Sequence, residues 1–402
     1  MAFKKYKSHF FCCLNFRIMK KRNIYPFRPD NLIPLFAWIF YLFINVIFCV
    51  KYNPFESINS LWIILGYPLA ALGIYKITTI NRLQQKNFFF LLLVLFILIL
   101  SAFLLIYIDP YSVDVDRWSA LAFWSENLKN GQFPYGTPTH MGGHASPYPV
   151  WQLFHFPFHL LGDTGYGQIF CLLAFFIYLF CQRTRMNIGG FILLLAISPA
   201  FWWEISVRSD LLCNMLLIFI FLSAQFFYSD YWKKHKYLAG LIVGLFLCTK
   251  MLVAIPLFLY FFSRFLKYTT KEKIGFALLV VAGLAVPFLP FLFGENSILN
   301  HPEYNPVLVQ TRQGNIFVVI VGFLLILWSS LSWKKMQKCF FLCGLFLFAL
   351  IFTVGTRIYL SQNCGLNCIL FGDDELDISY FNVSMPFFLY CIGEVRKYQT
   401  RY

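Results

Sequence analysis

Residues 88–108 read FFFLLLVLFILILSAFLLIYI, a stretch of 21 residues whose one polar member is Ser101. At a helical rise of about 1.5 Å per residue it is about 30 Å long, which matches the hydrocarbon core of a bilayer. Similar stretches recur, and the chain of 402 residues is 59% hydrophobic and only 13% charged. A soluble domain usually carries about 25% charged residues and could not hide so much apolar surface from water. The sequence therefore predicts an integral, multi-pass membrane protein.

These apolar stretches predict an all-α fold, namely a polytopic bundle of about 10–12 transmembrane helices. Neither an internal repeat nor a long linker divides the sequence, so we expect residues 1–402 to form a single membrane domain. The predicted spans lie near residues 33–50, 61–80, 88–108, 167–181, 188–203, 211–228, 238–249, 251–266, 274–293, 315–332, 339–357 and 379–393.

The basic residues predict the orientation, because Lys and Arg near the ends of spans tend to stay in the cytoplasm. The tail 1–32 carries eight of them before the first span. With this tail inside, every basic cluster falls on the same side, so both termini are predicted to be cytoplasmic. Despite the net charge of +15, we interpret the tail as an orientation signal held near anionic membrane lipid, not as a nucleic-acid-binding segment. Frequent Phe, Ile, Asn and Lys are typical of an AT-rich bacterial genome, which suggests a bacterial cytoplasmic membrane.

The acidic residues separate in the opposite sense. Of 18 Asp and Glu residues, only Asp30, Asp230, Glu272 and Glu394 fall on the predicted cytoplasmic side. The other 14 fall in or beside the outer loops. Because acidic residues contribute little to orientation, this clustering indicates a polar site built from several loops of the extracytoplasmic face.

The largest predicted outer loop, 109–166, contains two further helical stretches. Residues 117–130 carry Trp118, Leu121 and Leu128 at helical spacing, and a C-cap glycine follows them. Residues 151–161 are apolar but too short to span a bilayer, so they predict an interfacial or re-entrant helix. Asp114 and Asp116 precede the first stretch. A helix dipole favours carboxylates there, so one of the two could be explained as a helix cap.

The order of these motifs resembles the GT-C superfamily of membrane glycosyltransferases, in particular its mannosyltransferase-like members. The resemblance covers residues 109–390. The matching pieces are Asp116 before an amphipathic helix, Gly131 to Tyr135 (GQFPY), Ser146 to Pro149 (SPYP, with Tyr148), Trp203 to Asp210 (WEISVRSD), the Gly-rich helix Gly240 to Lys250, and Asp377 to Pro386. Members of that family transfer a sugar from a polyprenyl-phosphate donor to an acceptor, and the resemblance implies the same activity here.

The resemblance also implies roles for individual residues. Asp116, with Asp114 as the second candidate, would be the general base that takes the proton from the acceptor hydroxyl. Arg208 and Lys250 would bind the leaving phosphate as its charge grows. Glu204 and Asp210 flank Arg208 and are expected either to orient it or to help hold a divalent ion.

Three further features keep alternatives open. His140 and His144 could hold a metal together with Asp114 or Asp116, or could donate hydrogen bonds to sugar or phosphate, as could Tyr148. No cofactor is otherwise implied, and metal dependence stays open. The acidic run 373–377 could be a cation site or simply a solvated surface.

The leading hypothesis is a transferase that moves a sugar from a polyprenyl-phosphate donor to a lipid, glycan or protein acceptor. Two other functions remain as alternatives. A transporter or flippase for lipid-linked saccharides would place charged residues inside its spans and show repeat-related halves. The predicted spans are instead nearly free of charge. A polysaccharide polymerase is the third alternative, although here the largest loop lies early in the chain and begins with carboxylates.

Overall fold

The computed structural model describes residues 32–53, 59–312, 314–362 and 376–393. The basic tail up to residue 31, most of the acidic run 373–377 and the C-terminal basic residues lie outside this description. Within it the chain forms helices and turns and no strand. The all-α prediction is confirmed.

Eighteen α-helices run through the described residues, and short 3-10 segments join several of them. They are α1 Ile33–Lys51, α2 Ser60–Ile80, α3 Asn87–Tyr107, α4 Arg117–Lys129, α5 Pro149–Leu160, α6 Tyr166–Cys181, α7 Ile188–Ala196, α8 Pro199–Ser206, α9 Leu211–Phe227, α10 Ser229–Lys234, α11 Lys236–Leu247, α12 Ala254–Leu266, α13 Thr270–Ala285, α14 Leu289–Leu292, α15 Pro306–Thr311, α16 Ile316–Ser330, α17 Met336–Gln362 and α18 Met385–Gly393.

Several of these helices could cross a membrane. In the described part of the chain, five are long and apolar enough by length and composition: α1, α2, α3, α13 with its continuation to Leu292, and α17. A sixth would arise if α7 and α8 formed one span despite the 66° bend between them. The other predicted spans coincide with apolar helices of 10–17 residues. Apolar helices compatible with a multi-pass protein are therefore present, whereas the number of 10–12 spans and the orientation stay predictions.

The bend between α7 and α8 has a local cause. Pro199 opens α8 and cannot continue the hydrogen-bond ladder of α7. Ser198 caps the new helix, because its hydroxyl accepts from the backbone N–H of Phe201 at 3.2 Å. The same hydroxyl donates to the Asn45 side chain in α1 at 2.5 Å. The bend is thus fixed to a neighbouring helix, and it directs the end of α8 toward the polar residues described below.

Close helix packing occurs where glycines meet. A Cβ atom on Gly244 of α11 would lie 2.2 Å from the carbonyl oxygen of Val280 in α13. One on Gly283 would lie 2.6 Å from the carbonyl oxygen of Leu241. Helices can approach this closely only through small residues, a common solution in membrane bundles. This contact holds the hairpin α11–α12, whose turn carries Lys250, against α13.

The loop between α3 and α6 folds as two helices, as predicted. Helix α4 begins at Arg117 and ends just before Gly131, which has a φ of +68° and supports a C-cap. Leu121 is buried as expected, but Trp118 and Leu128 are only half-buried. The predicted apolar face is therefore incomplete.

Trp124, which the pattern did not single out, is the most deeply buried aromatic residue of α4. Its ring lies 5.9 Å from that of Tyr135 and 5.8 Å from that of Phe291. The helix is consequently enclosed by its own loop and by the segment after α13. This packing places its N-terminal residue, Arg117, toward the turn that follows α8.

Candidate functional site

Arg117 is the centre of a polar cluster built from three separate parts of the chain. Its Nη1 donates to the hydroxyl of Ser209 at 3.0 Å, and its Nη2 donates to the hydroxyl of Ser379 at 2.7 Å. Nη2 also forms an ion pair with the carboxylate of Asp377. The guanidinium lies over the ring of Tyr380, 4.9 Å from its centroid. One side chain of the first loop thus joins the turn after α8 to the segment before α18.

A second cation, Lys250, is buried nearby. Its Nζ lies 2.8 Å from Oδ1 of Asp210, and the two side chains are 8% and 2% exposed. Burial lowers the pKa of Lys250, while Asp210 opposes that change. Burial alone would raise the pKa of Asp210, but the charges of Lys250 and Arg117 outweigh it, so the pKa of this carboxylate stays below its usual range. Lys250 is therefore held inside the protein and does not reach toward water.

Glu204 is almost completely buried and is surrounded by protein donors. Its Oε1 accepts from the side-chain amide of Asn382 at 2.9 Å. Its Oε2 accepts from the backbone N–H of Leu212 in the first turn of α9. The carboxylate also interacts electrostatically with Arg117. It therefore connects α8, α9 and the segment before α18 beneath the cluster.

Arg208 takes a different position from the one its sequence neighbours suggest. We expected Glu204 and Asp210 to orient it or to hold an ion, but its Nε donates to Asp163 at 2.8 Å and its Nη2 to the carbonyl of Leu105 at 2.6 Å. Its backbone has a φ of +53°, which is strained for a residue other than glycine. The left-handed turn directs the Arg208 side chain away from its two acidic neighbours, and Asp163 orients it instead.

Asp116 and Asp114 differ in environment. Asp114 is exposed, whereas Asp116 is half-buried at the start of α4. Oδ2 of Asp116 accepts from the hydroxyl of Thr139 at 3.0 Å. Tyr380 interacts electrostatically with both Asp116 and Asp210. Asp116 is thus the better oriented of the two carboxylates, and it adjoins the Arg117 cluster.

Of the two loop histidines, His140 contacts the start of α4, whereas His144 packs against Tyr304. Nδ1 of His140 lies 2.7 Å from the hydroxyl of Ser119, and its Nε2 is buried with no hydrogen-bond partner among the described residues. The His144 ring lies 5.5 Å from that of Tyr304. Tyr148 is buried and packs against Phe288, with ring centroids 5.4 Å apart. Its backbone N–H donates to the carbonyl of Thr249 at 3.0 Å, which brings the start of α5 beside Lys250.

The metal hypothesis finds no ligand set in the described ranges. Across them, no group of three or more His, Cys, Asp or Glu side chains is arranged to hold an ion. In particular, His140 and His144 do not combine with Asp114 or Asp116 into such a set. Metal dependence therefore stays a prediction without a structural candidate.

The sequence analysis assigned no role to Arg117 or Asp163, and it included Asp377 in the acidic run and in the last matching motif without giving it a role of its own. A signal for Arg117 was present, because a cation in the first turn of a helix opposes the helix dipole and requires a carboxylate partner. The partner lies 260 positions away, and sequence spacing does not reveal such a contact. Asp163 had no comparable signal.

Comparisons with known proteins found no match for this chain among protein-family models, curated proteins or solved structures. The resemblance to GT-C glycosyltransferases, which rests on the sequence motifs, stays a prediction.

Proposed function

We propose that this protein is a GT-C-type glycosyltransferase that moves a sugar from a polyprenyl-phosphate carrier to a lipid, glycan or protein acceptor of the cell envelope. The observation that carries the proposal is the convergence of the turn after α8 and the segment before α18 on Arg117 of the first loop, directly beside Asp116. The transfer of a phosphate-linked sugar requires two things at one place: a base for the acceptor and cations for the leaving phosphate. Both kinds of group meet here.

Asp116 is the proposed general base. Its Oδ2 is oriented by Thr139, while Oδ1 accepts no hydrogen bond from the described residues and is available to take a proton. A Cβ atom on Gly143 would lie 2.8 Å from Oδ2, so the absence of a side chain at this position leaves room for the carboxylate. These contacts favour Asp116 over the exposed Asp114.

Lys250 is the cation that the sequence motifs and the cluster share. Its ammonium group has three N–H donors, of which one is used by Asp210. Charge growing on a leaving phosphate is stabilised most by donors that are already fixed and shielded from water. Glu204 and Asp210 interact electrostatically with both Lys250 and Arg117. Their proposed role is to hold these two cations in position.

Asp116→Asn, compared with Asp114→Asn in the same loop, tests the proposal. Membranes containing each variant are supplied with polyprenyl-phosphate sugars of several kinds, and transfer to endogenous acceptors is measured. We expect Asp116→Asn to abolish transfer, because an amide cannot accept the proton, while the protein still inserts and folds. Asp114→Asn should keep most of the activity.

Full activity in both variants would refute the assignment of the base. The main alternative, a transporter of lipid-linked saccharides, predicts movement of the labelled lipid between leaflets without any transfer. Measuring both readouts on the same membranes separates the two functions.

A further inference from the structure

Three buried cations near the proposed site are each paired with one carboxylate: Lys250 with Asp210, Arg208 with Asp163, and Arg117 with Asp377. The three carboxylates differ in their access to water. The Asp210 side chain is 2% exposed and that of Asp163 is 17% exposed, whereas that of Asp377 is 41% exposed. This difference determines which pair an incoming anion can open.

An anion can displace a carboxylate only if the displaced group regains solvation, because an ionised carboxylate left unpaired in a buried site costs several kcal/mol. Asp210 would stay buried after displacement, and Asp163 would stay mostly buried. Asp377 alone of the three can turn toward water. Arg117 is thus the cation whose partner is exchanged at the lowest cost.

The surroundings of Arg117 also suit a phosphate. Three of its five N–H donors are used, by Ser209, Asp377 and Ser379, and two of these bonds go to neutral hydroxyls. Removal of Asp377 leaves a guanidinium fork, which matches two phosphate oxygens. The hydroxyl of Ser379, which now donates to Asp377, becomes available to the same ligand.

We propose that Asp377 occupies the place of the donor's phosphate, and that a polyprenyl phosphate binds by displacing it from Arg117. Asp377 is thus an internal competitor that neutralises the site until the ligand arrives. Arg208 is held by Asp163 and by the Leu105 carbonyl and does not touch the ligand. The inference rests on the proposed function only for the identity of the ligand.

Asp377→Asn is a selective perturbation. Oδ1 of Asp377 accepts from the backbone N–H of Ser379 at 2.9 Å and so caps the following 3-10 segment. Asparagine caps about as well as aspartate, so this variant removes the charge and keeps the local fold. Asp163→Asn is the matched control, because it also releases one guanidinium from its carboxylate.

The measurement is equilibrium binding of a radiolabelled polyprenyl phosphate, carrying no sugar, to the full-length protein in lipid nanodiscs. Unlabelled polyprenol of the same length serves as the competitor that lacks phosphate. Asp377→Asn should bind roughly three- to tenfold more tightly than the wild type, because the competing carboxylate is gone. Arg117→Gln should bind roughly tenfold or more weakly, since hydrogen bonds to a charged group are lost. Asp163→Asn should leave affinity unchanged.

Tighter binding in Asp163→Asn with no change in Asp377→Asn would overturn the inference, because it would identify Arg208 as the ligand's partner. Unchanged affinity in both would overturn it as well. Should Arg117→Gln fail to fold, the two asparagine variants still decide the question. Failure of the transferase proposal is distinguishable, since sugar transfer would then be absent while the dependence of phosphate binding on Asp377 persisted.

Discussion

The ion pair between Lys250 and Asp210 allows a quantitative prediction. Lys250→Met removes the charge and keeps a long apolar side chain, while Asp210 stays in place. At a separation of 2.8 Å, two unit charges attract each other by about 6 kcal/mol for an effective dielectric constant of about 20. Loss of solvation on burial offsets part of this, by several kcal/mol per ion.

Removing one partner forfeits the attraction but leaves the desolvation of the other. Lys250→Met should therefore lower the free energy of unfolding by roughly 3–5 kcal/mol. Oδ2 of Asp210 already lacks a hydrogen-bond partner among the described residues, so after the change the buried carboxylate keeps little beyond the charge of Arg117 to compensate it. Replacing both residues, as in Lys250→Met with Asp210→Leu, should restore most of the loss.

The assay is a double-mutant cycle on the purified protein in detergent micelles or bicelles, with the free energy of unfolding measured by denaturant titration. The matched control is the exposed pair of Lys233 and Asp230, whose side chains are 68% and 90% exposed. Lys233→Met should leave stability almost unchanged, because both charges of this pair stay solvated. The double variant Lys250→Met, Asp210→Leu should fold but lose transferase activity, because it lacks the cation for the leaving phosphate.

Small, additive effects of Lys250→Met and Asp210→Leu would refute the reasoning. Such additivity would mean that the two charges are solvated independently and that the pair is not enclosed. The reasoning would also be refuted if each single variant and the double variant lost the same large amount of unfolding free energy. The two residues would then act through packing and not through charge.

Two further predictions concern the first loop. Gly143→Ala should reduce sugar transfer at least several-fold with little loss of stability, because its Cβ would lie 2.8 Å from Oδ2 of Asp116 and 3.4 Å from the hydroxyl of Thr139; a transfer rate equal to the wild type would contradict the role of this contact. Burial of His155 lowers its pKa to about 4, so the unfolded chain binds a proton that the folded chain excludes. Stability should fall by about 3 kcal/mol between pH ~6.5 and ~4, and His155→Gln should remove that component from a stability profile measured across the same range.

The helical nature of the chain was predictable because the hydrophobic pattern decides it locally. Residues 88–108 predicted a span, and α3 occupies Asn87–Tyr107. The break between the predicted spans 238–249 and 251–266 is also present, because the apolar pattern is interrupted at Thr249 and Lys250. Prediction was less accurate at α7 and α8, where one apolar stretch is divided by the cap of Ser198 and by Pro199. Apolar pattern alone does not register such a bend.

Candidate site residues could be named from the sequence where charged residues lie close to a recognisable motif, whereas contacts between remote segments could not. Lys250 and Asp210 were both candidates, but their pairing depends on how α9 and α11 pack. For Arg208, proximity to Glu204 and Asp210 suggested the wrong neighbours, because a φ of +53° at Arg208 turns its side chain toward Asp163. A single backbone dihedral angle therefore decided which acid orients this cation.

The pairing of the three buried cations near the site with carboxylates follows from the apolar environment. A membrane protein that binds a phosphate in a shielded site needs cations there, yet an unpaired cation is costly to bury. Carboxylates from other segments meet that need, which gives a physical reason for the acidic residues gathered in the predicted outer loops. Each such pairing neutralises a cation, however, and so weakens its attraction for a ligand. Unequal exposure resolves the conflict, because the buried Asp210 holds Lys250 in place and leaves two of its N–H donors unused, while the more exposed Asp377 can leave Arg117.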